Sequence, residues 1–407
     1  MKRVVKRILF NLVGRALNVV PQKTPTLLSG VGNIKLVPSE LSVLKVNKPL
    51  VVTDKPLVDL GIVAKLEEVL KAANIQYAVF DGVIPDPSFE VCDQGLAALR
   101  KNHCDSVIAL GGGSVMDAGK LIRMGATHDK PMEKFAGLLR CRNNGLPFIC
   151  IPTTAGTGSE ATAAAVITDL KRHRKTTVLD PRLPPNTAIL DPALTLGLPP
   201  GMTASTGIDA LTHAVEAYTN TLHFSDVDAQ AVEAVRLIFL NLAAVYAKGS
   251  DISGREALLR ASHLAGRAFT RGFVGYVHAV AHRFGERYHV PHGLANAIVL
   301  PYFLDVYEKE CPQRLATLAR ASGCCGGQGL GEDALCARRF VDAVRALNAS
   351  VGIPEKAVFL VAGDIPGIVA DALKEAHGTP YPVPVVMDAK ELSDIVERML
   401  PRSGESE

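Results

Sequence analysis

The sequence predicts an α/β domain built on a parallel sheet, followed by a domain that is all helix. Three observations lead there. From about residue 50, short apolar runs alternate with helical patterns. After Pro199-Pro200-Gly201 the strand signals fade and helical periodicity takes over. At 407 residues the chain is also too long for one hydrophobic core. The expected division is a basic amphipathic N-terminal helix over 1–25, the α/β domain over 26–199 and the helical domain over 200–407.

Residues 2–20 place Val4, Val5, Ile8, Leu9, Leu12, Val13, Ala16, Leu17 and Val20 at helical spacing, with Arg3, Arg7, Asn11, Arg15 and Asn18 along the other side. Pro21 closes this helix. It would dock its apolar face on its own enzyme or a partner subunit, the favoured reading. The alternatives are an anionic membrane surface and a targeting signal. Strands follow at Leu50–Thr53, Tyr77–Phe80, Ser106–Leu110 and Phe148–Ile151, with helices at Leu57–Ala72 and Ser88–Lys101 and a further helix after Gly111–Ser114. Buried strands alternating with helices make βαβ units and a parallel sheet. In the second half, Thr203–Tyr218, Asp226–Ala247 and Arg255–Phe269 read as long helices, the second stopped by Gly249, and the tail after Leu400 as frayed.

Hydrophobic content of 48% with 21% charge is ordinary for a globular enzyme, and the net charge of +3 carries no nucleic-acid signature. Seven basic residues precede the first acid, Glu40, so the remainder of the chain is net acidic. No stretch approaches the roughly 18–20 uninterrupted apolar residues of a membrane span. Eight scattered cysteines without a Cys-x-x-Cys pair read as reduced thiols in a cytoplasmic protein, including the adjacent Cys324 and Cys325 in the Gly-rich turn Ser322–Gly329.

Four constellations carry chemistry. Gly111-Gly112-Gly113-Ser114, continuing to Asp117, follows a strand and opens a helix. Glycines there let a pyrophosphate approach backbone N–H groups at a helix N-terminus, though a tight turn needs glycine too. It is not the G-x-G-x-x-G fingerprint. Pro152-Thr153-Thr154, continuing to Glu160, brings hydroxyls and glycines to the carboxyl edge of the same sheet, as a ligand loop or a plain polar one. Asp54 ends the first strand, where a carboxylate can bind ribose hydroxyls and disfavour a 2′-phosphate, favouring NAD over NADP, or can cap the next helix. Asp209 and His213 stand four apart on a helix, and His278, His282 and His292 follow later. One carboxylate with imidazoles suits Fe(II) or Zn(II) with positions left open. A nucleotide loop and a separate metal cluster together point to hydride transfer.

These stretches resemble the iron-dependent (group III) alcohol dehydrogenase family, in particular its lactaldehyde reductase-like members. The likeness rests on Gly111–Asp117, Pro152–Glu160, Gly207–Tyr218 and His278–Pro301, and extends from about Thr26 to the C-terminus. It implies a Rossmann-like NAD(P)-binding domain, an all-helical metal domain and a homodimer. By motif position the metal ligands would be Asp209, His213, His278 and His292, with His282 beside the metal. Cofactor contacts would fall on Asp54, Gly112, Gly113, Ser114, Asp117, Thr153, Thr154 and Lys175. Arg283-Phe284, Asp86 and Tyr381 depart from the family pattern and bear on substrate range.

The expected activity is hydride transfer between a small alcohol or aldehyde and NAD(H), with Fe(II), or Zn(II) on the same ligands, polarising the oxygen and His282 relaying the proton. Two other readings stand beside it: a dehydroquinate synthase-type lyase using NAD transiently, and a non-catalytic nucleotide-binding subunit. The first needs more basic residues near the metal than Arg283 and Arg287, which would attract an anionic substrate or pair with neighbouring acids.

Overall fold

The computed structural model describes residues 2–19, 21, 23–172, 174–326 and 332–401, with Lys2 and Val4 described by backbone alone. Val20, the end of the Gly-rich turn at 327–329 and the tail at 402–407 lie outside the described residues. The chain forms two compact units. One is Pro21–Gly197; the other joins Leu198–Glu407 to Met1–Val20.

The first unit holds a six-stranded parallel sheet of β1 (Thr26–Ser29), β2 (Pro49–Asp54), β3 (Ala78–Val83), β4 (Ser106–Gly111), β6 (Phe148–Pro152) and β9 (Thr187–Leu190). The order across it is β1-β9-β6-β4-β2-β3. Helices α2 (Val37–Val43), α3 (Lys55–Asp59), α4 (Ile62–Ala72), α5 (Phe89–Lys101) and α6 (Gly113–Gly125) connect the strands. Strands β4, β6 and β9 are buried throughout, whereas the edge strands β1 and β3 are partly exposed. That is why the central strands read as continuous apolar runs. A core lies on each face of the sheet, around Leu121, Ile122 and Phe148 on one and Leu66, Ile108 and Ile149 on the other. A smaller sheet has β5 (Gly137–Leu138), β8 (Arg174–Leu179) and β7 (Ala164–Asp169), the last two antiparallel.

Strand order carries functional meaning. From β2 the chain moves outward to β3, then crosses back to place β4 on the other side of β2. The direction of winding reverses between β2 and β4, which leaves a crevice beyond their carboxyl ends.

The second unit is helical: α1 (Lys2–Leu17), α7 (Pro200–Thr219), α8 (Ser225–Ala247), α9 (Ile252–Gly272), α10 (Tyr276–Tyr288), α11 (His292–Glu310), α12 (Pro312–Ala321), α13 (Asp333–Ser350), α14 (Ile365–Gly378) and α15 (Ala389–Glu397). By length and composition α8 could cross a membrane. It instead packs along α7 and α9, burying Ala231, Val235, Ile238 and Leu242. Gly207 lets α7 close on α8, since a Cβ there would meet Leu242 Cδ1 at 2.4 Å.

Two expectations are corrected here. The N-terminal helix docks on its own chain, but through its polar side. Arg3 pairs with Asp388 and with Glu391, Arg7 and Arg15 donate to the carbonyls of Pro384 and Leu222, and Asn11 accepts from Thr221. Of the apolar residues on the other side, Val5, Ile8, Leu9 and Leu12 stay exposed. Amphipathicity marks two unlike faces; the acids and carbonyls that meet α1 decide which one docks. The thiols are also not all reduced. Cys325 and Cys336 form a disulfide, because the turn after α12 folds back on the first turn of α13 and brings their Cα atoms to 5.5 Å. Among the described cysteines the other six are free.

Candidate metal centre and nucleotide loops

In the first unit, the ligand loops foreseen from sequence leave neighbouring strands side by side. Register pairs Gly111 of β4 with Pro152 of β6, and Thr153 N–H continues the pairing by donating to Gly111 O at 3.0 Å. The loop beyond Thr153 then lies over the start of α6. A Cβ on Gly113 would stand 2.6 Å from Thr157 Cγ2, and one on Gly112 would touch Thr154. At Gly113 a side chain would force Thr157 aside, whereas at Gly112 it would only make ordinary contact. Helix α6 begins with Gly112 as N-cap and no side chain capping it, so its first N–H groups face the crevice at the sheet's reversal point. Ser114 stands in that first turn.

Asp54 ends β2 on the adjacent strand and accepts from Leu57 N–H at 2.9 Å as the N-cap of α3. Partial burial raises its pKa. Asp117 spends both oxygens on the protein, accepting from Ser159 Oγ at 2.6 Å and Val166 N–H at 2.8 Å. Lys175, on β8, pairs with Asp86 at 2.7 Å. One residue that motif reading missed is Lys120. Fully buried, it donates to Ser159 Oγ, Thr162 Oγ1 and the carbonyl of Ala164 at 2.6–2.8 Å, tying the second loop to α6. Its place one turn after Asp117 was the available signal.

In the helical unit, α7 presents Asp209 and His213 one turn apart, both buried. Helix α10 presents His278 and, a turn later, His282. The chain then turns through His289, in the left-handed region with φ 56°, and Pro291, so that His292 opens α11. Gly293 is indispensable to this approach: a Cβ there would lie 2.4 Å from Ser205 O on α7. As a result, one nitrogen or oxygen atom from each of Asp209, His213, His278 and His292 lies within 4.8 Å of the others.

This donor set suits a divalent cation. Asn296, a turn into α11, holds its amide nitrogen 2.7 Å from Asp209 Oδ1, 3.2 Å from His278 Nε2 and 3.1 Å from His292 Nε2. Three acceptor atoms converging on one amide make an electron-rich centre. Burial lowers the His278 pKa to about 3, keeping its imidazole unprotonated as a ligand must be. Burial alone would raise the Asp209 carboxyl, but His213, His292 and His278 outweigh it and leave it below the ordinary value.

Glu216 supports the cluster from behind, accepting from His278 Nδ1 at 2.5 Å and Val277 N–H at 2.8 Å. The bond fixes the tautomer that leaves His278 Nε2 free to coordinate. Sequence reading missed Glu216, although it lies seven residues after Asp209 on the same helical face. His282 stacks on His292, with ring centroids 5.3 Å apart, and its Nδ1 is 2.8 Å from Glu375 Oε1. Glu375 also binds Arg283 and the Tyr381 hydroxyl. Arg283 further pairs with Glu286, and Arg287 with Asp364 and Asp371, so both arginines answer neighbouring acids.

Comparison with known proteins agrees along the chain. The pattern of "Iron-containing alcohol dehydrogenase" matches residues 24–192, and that of "Fe-containing alcohol dehydrogenase family, C-terminal" matches 203–400. The 1,3-propanediol dehydrogenase of Citrobacter freundii is 39% identical over 371 residues, covering 90% of this chain and 95% of that protein. The lactaldehyde reductase of Escherichia coli K12 is 36% identical over 353 residues, covering 85% and 91%. Among solved structures, a 1,3-propanediol oxidoreductase superposes with a TM-score of 0.89 at 36% identity, covering 93% of this chain and 99% of its own. The sulfoacetaldehyde reductase of Bifidobacterium kashiwanohense, solved with NAD+, gives a TM-score of 0.84 at 28% identity, covering 93% and 98%. The lyase and the non-catalytic readings are thereby set aside: the chain is an oxidoreductase and belongs to the iron-containing alcohol dehydrogenase family.

Proposed function

We propose that this enzyme interconverts a short alcohol or diol and its aldehyde with NAD(H), using a divalent iron ion held by Asp209, His213, His278 and His292. The convergence of those four donors within 4.8 Å carries the reading. When bound, the ion polarises the substrate oxygen and the nicotinamide accepts or returns hydride. The names of the relatives, a propanediol dehydrogenase and a lactaldehyde reductase, favour a small neutral substrate. The engagement of Arg283 and Arg287 by acids favours it over an anionic one.

The chain's own residues do the rest. The open N–H groups at Gly112, Gly113 and Ser114 bind the cofactor pyrophosphate, with the hydroxyls of Thr153 and Thr154 beside them. Asp54 takes the ribose hydroxyls with the oxygen its capping bond leaves over and disfavours a 2′-phosphate, hence NAD over NADP. Asp117 holds the second loop in place, and Lys175 with Asp86 borders it. Glu375 orients His282 through Nδ1, so that Nε2 can take up or release the proton lost from the alcohol. We place the enzyme in the cytoplasm as a homodimer, a state that sedimentation velocity would check.

The test is NADH absorbance on protein reconstituted with Fe(II) or Zn(II), offered short alcohols, diols and the matching aldehydes. Turnover that stops with a chelator and returns with metal supports the proposal. Bound NAD and metal without NADH change on any of these substrates would refute it.

A further inference from the structure

We propose that α1 is a membrane-surface anchor that seats the enzyme peripherally on an anionic lipid bilayer. The inference rests on α1 alone and is independent of the reaction. Two faces of this helix have opposite fates. Arg3, Arg7, Phe10, Asn11, Gly14 and Asn18, at helical spacing, meet the protein. Gly14 packs so closely that a Cβ would lie 3.1 Å from the Leu222 side chain. The opposite face carries Val5, Ile8, Leu9 and Leu12 at 59%, 54%, 54% and 61% exposure, spaced i, i+3, i+4, i+7. Val19, just beyond the helix, is 79% exposed.

A soluble enzyme gains nothing by turning the polar side of an amphipathic helix inward and the apolar side out. An interfacial helix gains by it: the body holds the polar face, and the apolar face meets the boundary between headgroups and acyl chains. Charge points the same way. The helix carries Lys2, Arg3, Lys6, Arg7 and Arg15 and no acid, and Arg3, Lys6, Arg7 and Arg15 are exposed. Asp388 and Glu391 engage Arg3, and Arg7 lies on the docked face. Lys6 and Arg15, however, flank the aliphatic stripe with no acid paired to either among the described residues, and cations there complement anionic headgroups. A second copy of the chain is a poorer occupant. Four half-exposed aliphatic side chains on a convex helix fall well short of the roughly 800 Å² each partner gives a stable interface. The family match also begins only at residue 24, so α1 is an addition to the shared enzyme body.

The test is co-sedimentation of the metal-loaded full chain with vesicles of phosphatidylglycerol and phosphatidylcholine in equal parts, against vesicles of phosphatidylcholine alone. The expected result is partitioning roughly tenfold stronger onto the anionic vesicles, weakened by salt. The double variant Ile8→Asp/Leu12→Asp should lose that partitioning by roughly tenfold or more while keeping its turnover, because both side chains are more than half exposed and α1 supplies no metal or cofactor contact. Lys6→Gln should lower the preference for anionic vesicles and keep the apolar contribution. Failure of the wild-type chain to bind anionic vesicles would overturn the proposal, as would equal binding by the double variant. So would a smaller sedimenting species for that variant without lipid, which would make the stripe a subunit contact.

Discussion

At the scale of single residues, Glu216 shows how a side chain outside the ligand set can govern it. Burial raises its pKa to about 7, against the opposing pull of the N–H groups of Gly275 and Val277. Only while Glu216 is ionised does it accept from His278 Nδ1 and so leave Nε2 free for a metal. Glu216→Gln keeps the shape but offers a weaker acceptor and a competing N–H group, and should weaken metal affinity by roughly ten- to a hundredfold. Competition with a chromogenic chelator would measure it, and unchanged affinity would mean that Glu216 orients nothing. Glu375 has the opposite character. Burial would raise its pKa, but His282, Arg283 and Tyr381 together hold it at about 2 against an ordinary 4.5. Its folded value is depressed, so its stabilisation is present above pH 4.5 and is lost as pH falls toward 2. The upper limit is on the order of 3 kcal/mol. Melting curves across that acid range should fall less steeply for Glu375→Gln than for wild type.

At the scale of elements, the ligand cluster depends on how α7 and α11 meet. Gly293→Ala would drive a Cβ toward Ser205 O, a backbone atom that cannot swing aside, so α11 must back away from α7 and carry His292 from Asp209. A loss of about 1–3 kcal/mol is expected, with weaker metal binding. Gly201→Ala, in the first turn of α7 with open space around it, is the control and should leave the melting temperature unchanged or slightly raised. A melting temperature that moved equally in both would deny the contact its role. Strands β2, β3, β4 and β6 were legible as apolar runs alternating with helical patterns, and helices α7, α8 and α9 as segments long enough to show their 3.6-residue period. Strands β1 and β9 escaped notice because each is a four-residue run followed by a short 3-10 turn, without the long helical pattern that marks a βαβ unit. The small sheet escaped because β8 is polar and largely outside the core, with one buried position, and β7 includes a buried Asp169 among its inward residues.

On the scale of the whole molecule, phosphate-binding loops and metal donors belong to different compact units. His278→Ala should therefore abolish bound metal and turnover while leaving NAD affinity nearly intact. Metal analysis with a fluorescence titration of NAD would check this, and joint loss of both ligands would count against the division of labour. Asp209 with His213, and His278 with His292, were each readable as local patterns. That they face one another across 65 or more residues of chain was not, because periodicity tells a helix which side is apolar and says nothing of which helix it will meet.

What the amino-acid sequence determined unaided is therefore the set of local facts: strand–turn–helix at Gly111–Ser114, the one-turn spacing of Asp209 and His213, two unlike faces on α1, and the change from α/β to all-helical pattern near residue 200. These follow from interactions within a few residues, whose geometry is the same wherever the segment lies. Tertiary structure alone decided the reversal of strand order beside β2, the seat of Glu216 behind His278, the pairing of Cys325 with Cys336 and the face α1 turns outward. Each is a choice among partners distant in sequence, settled by which acids, carbonyls and packing surfaces the folded chain brings within reach.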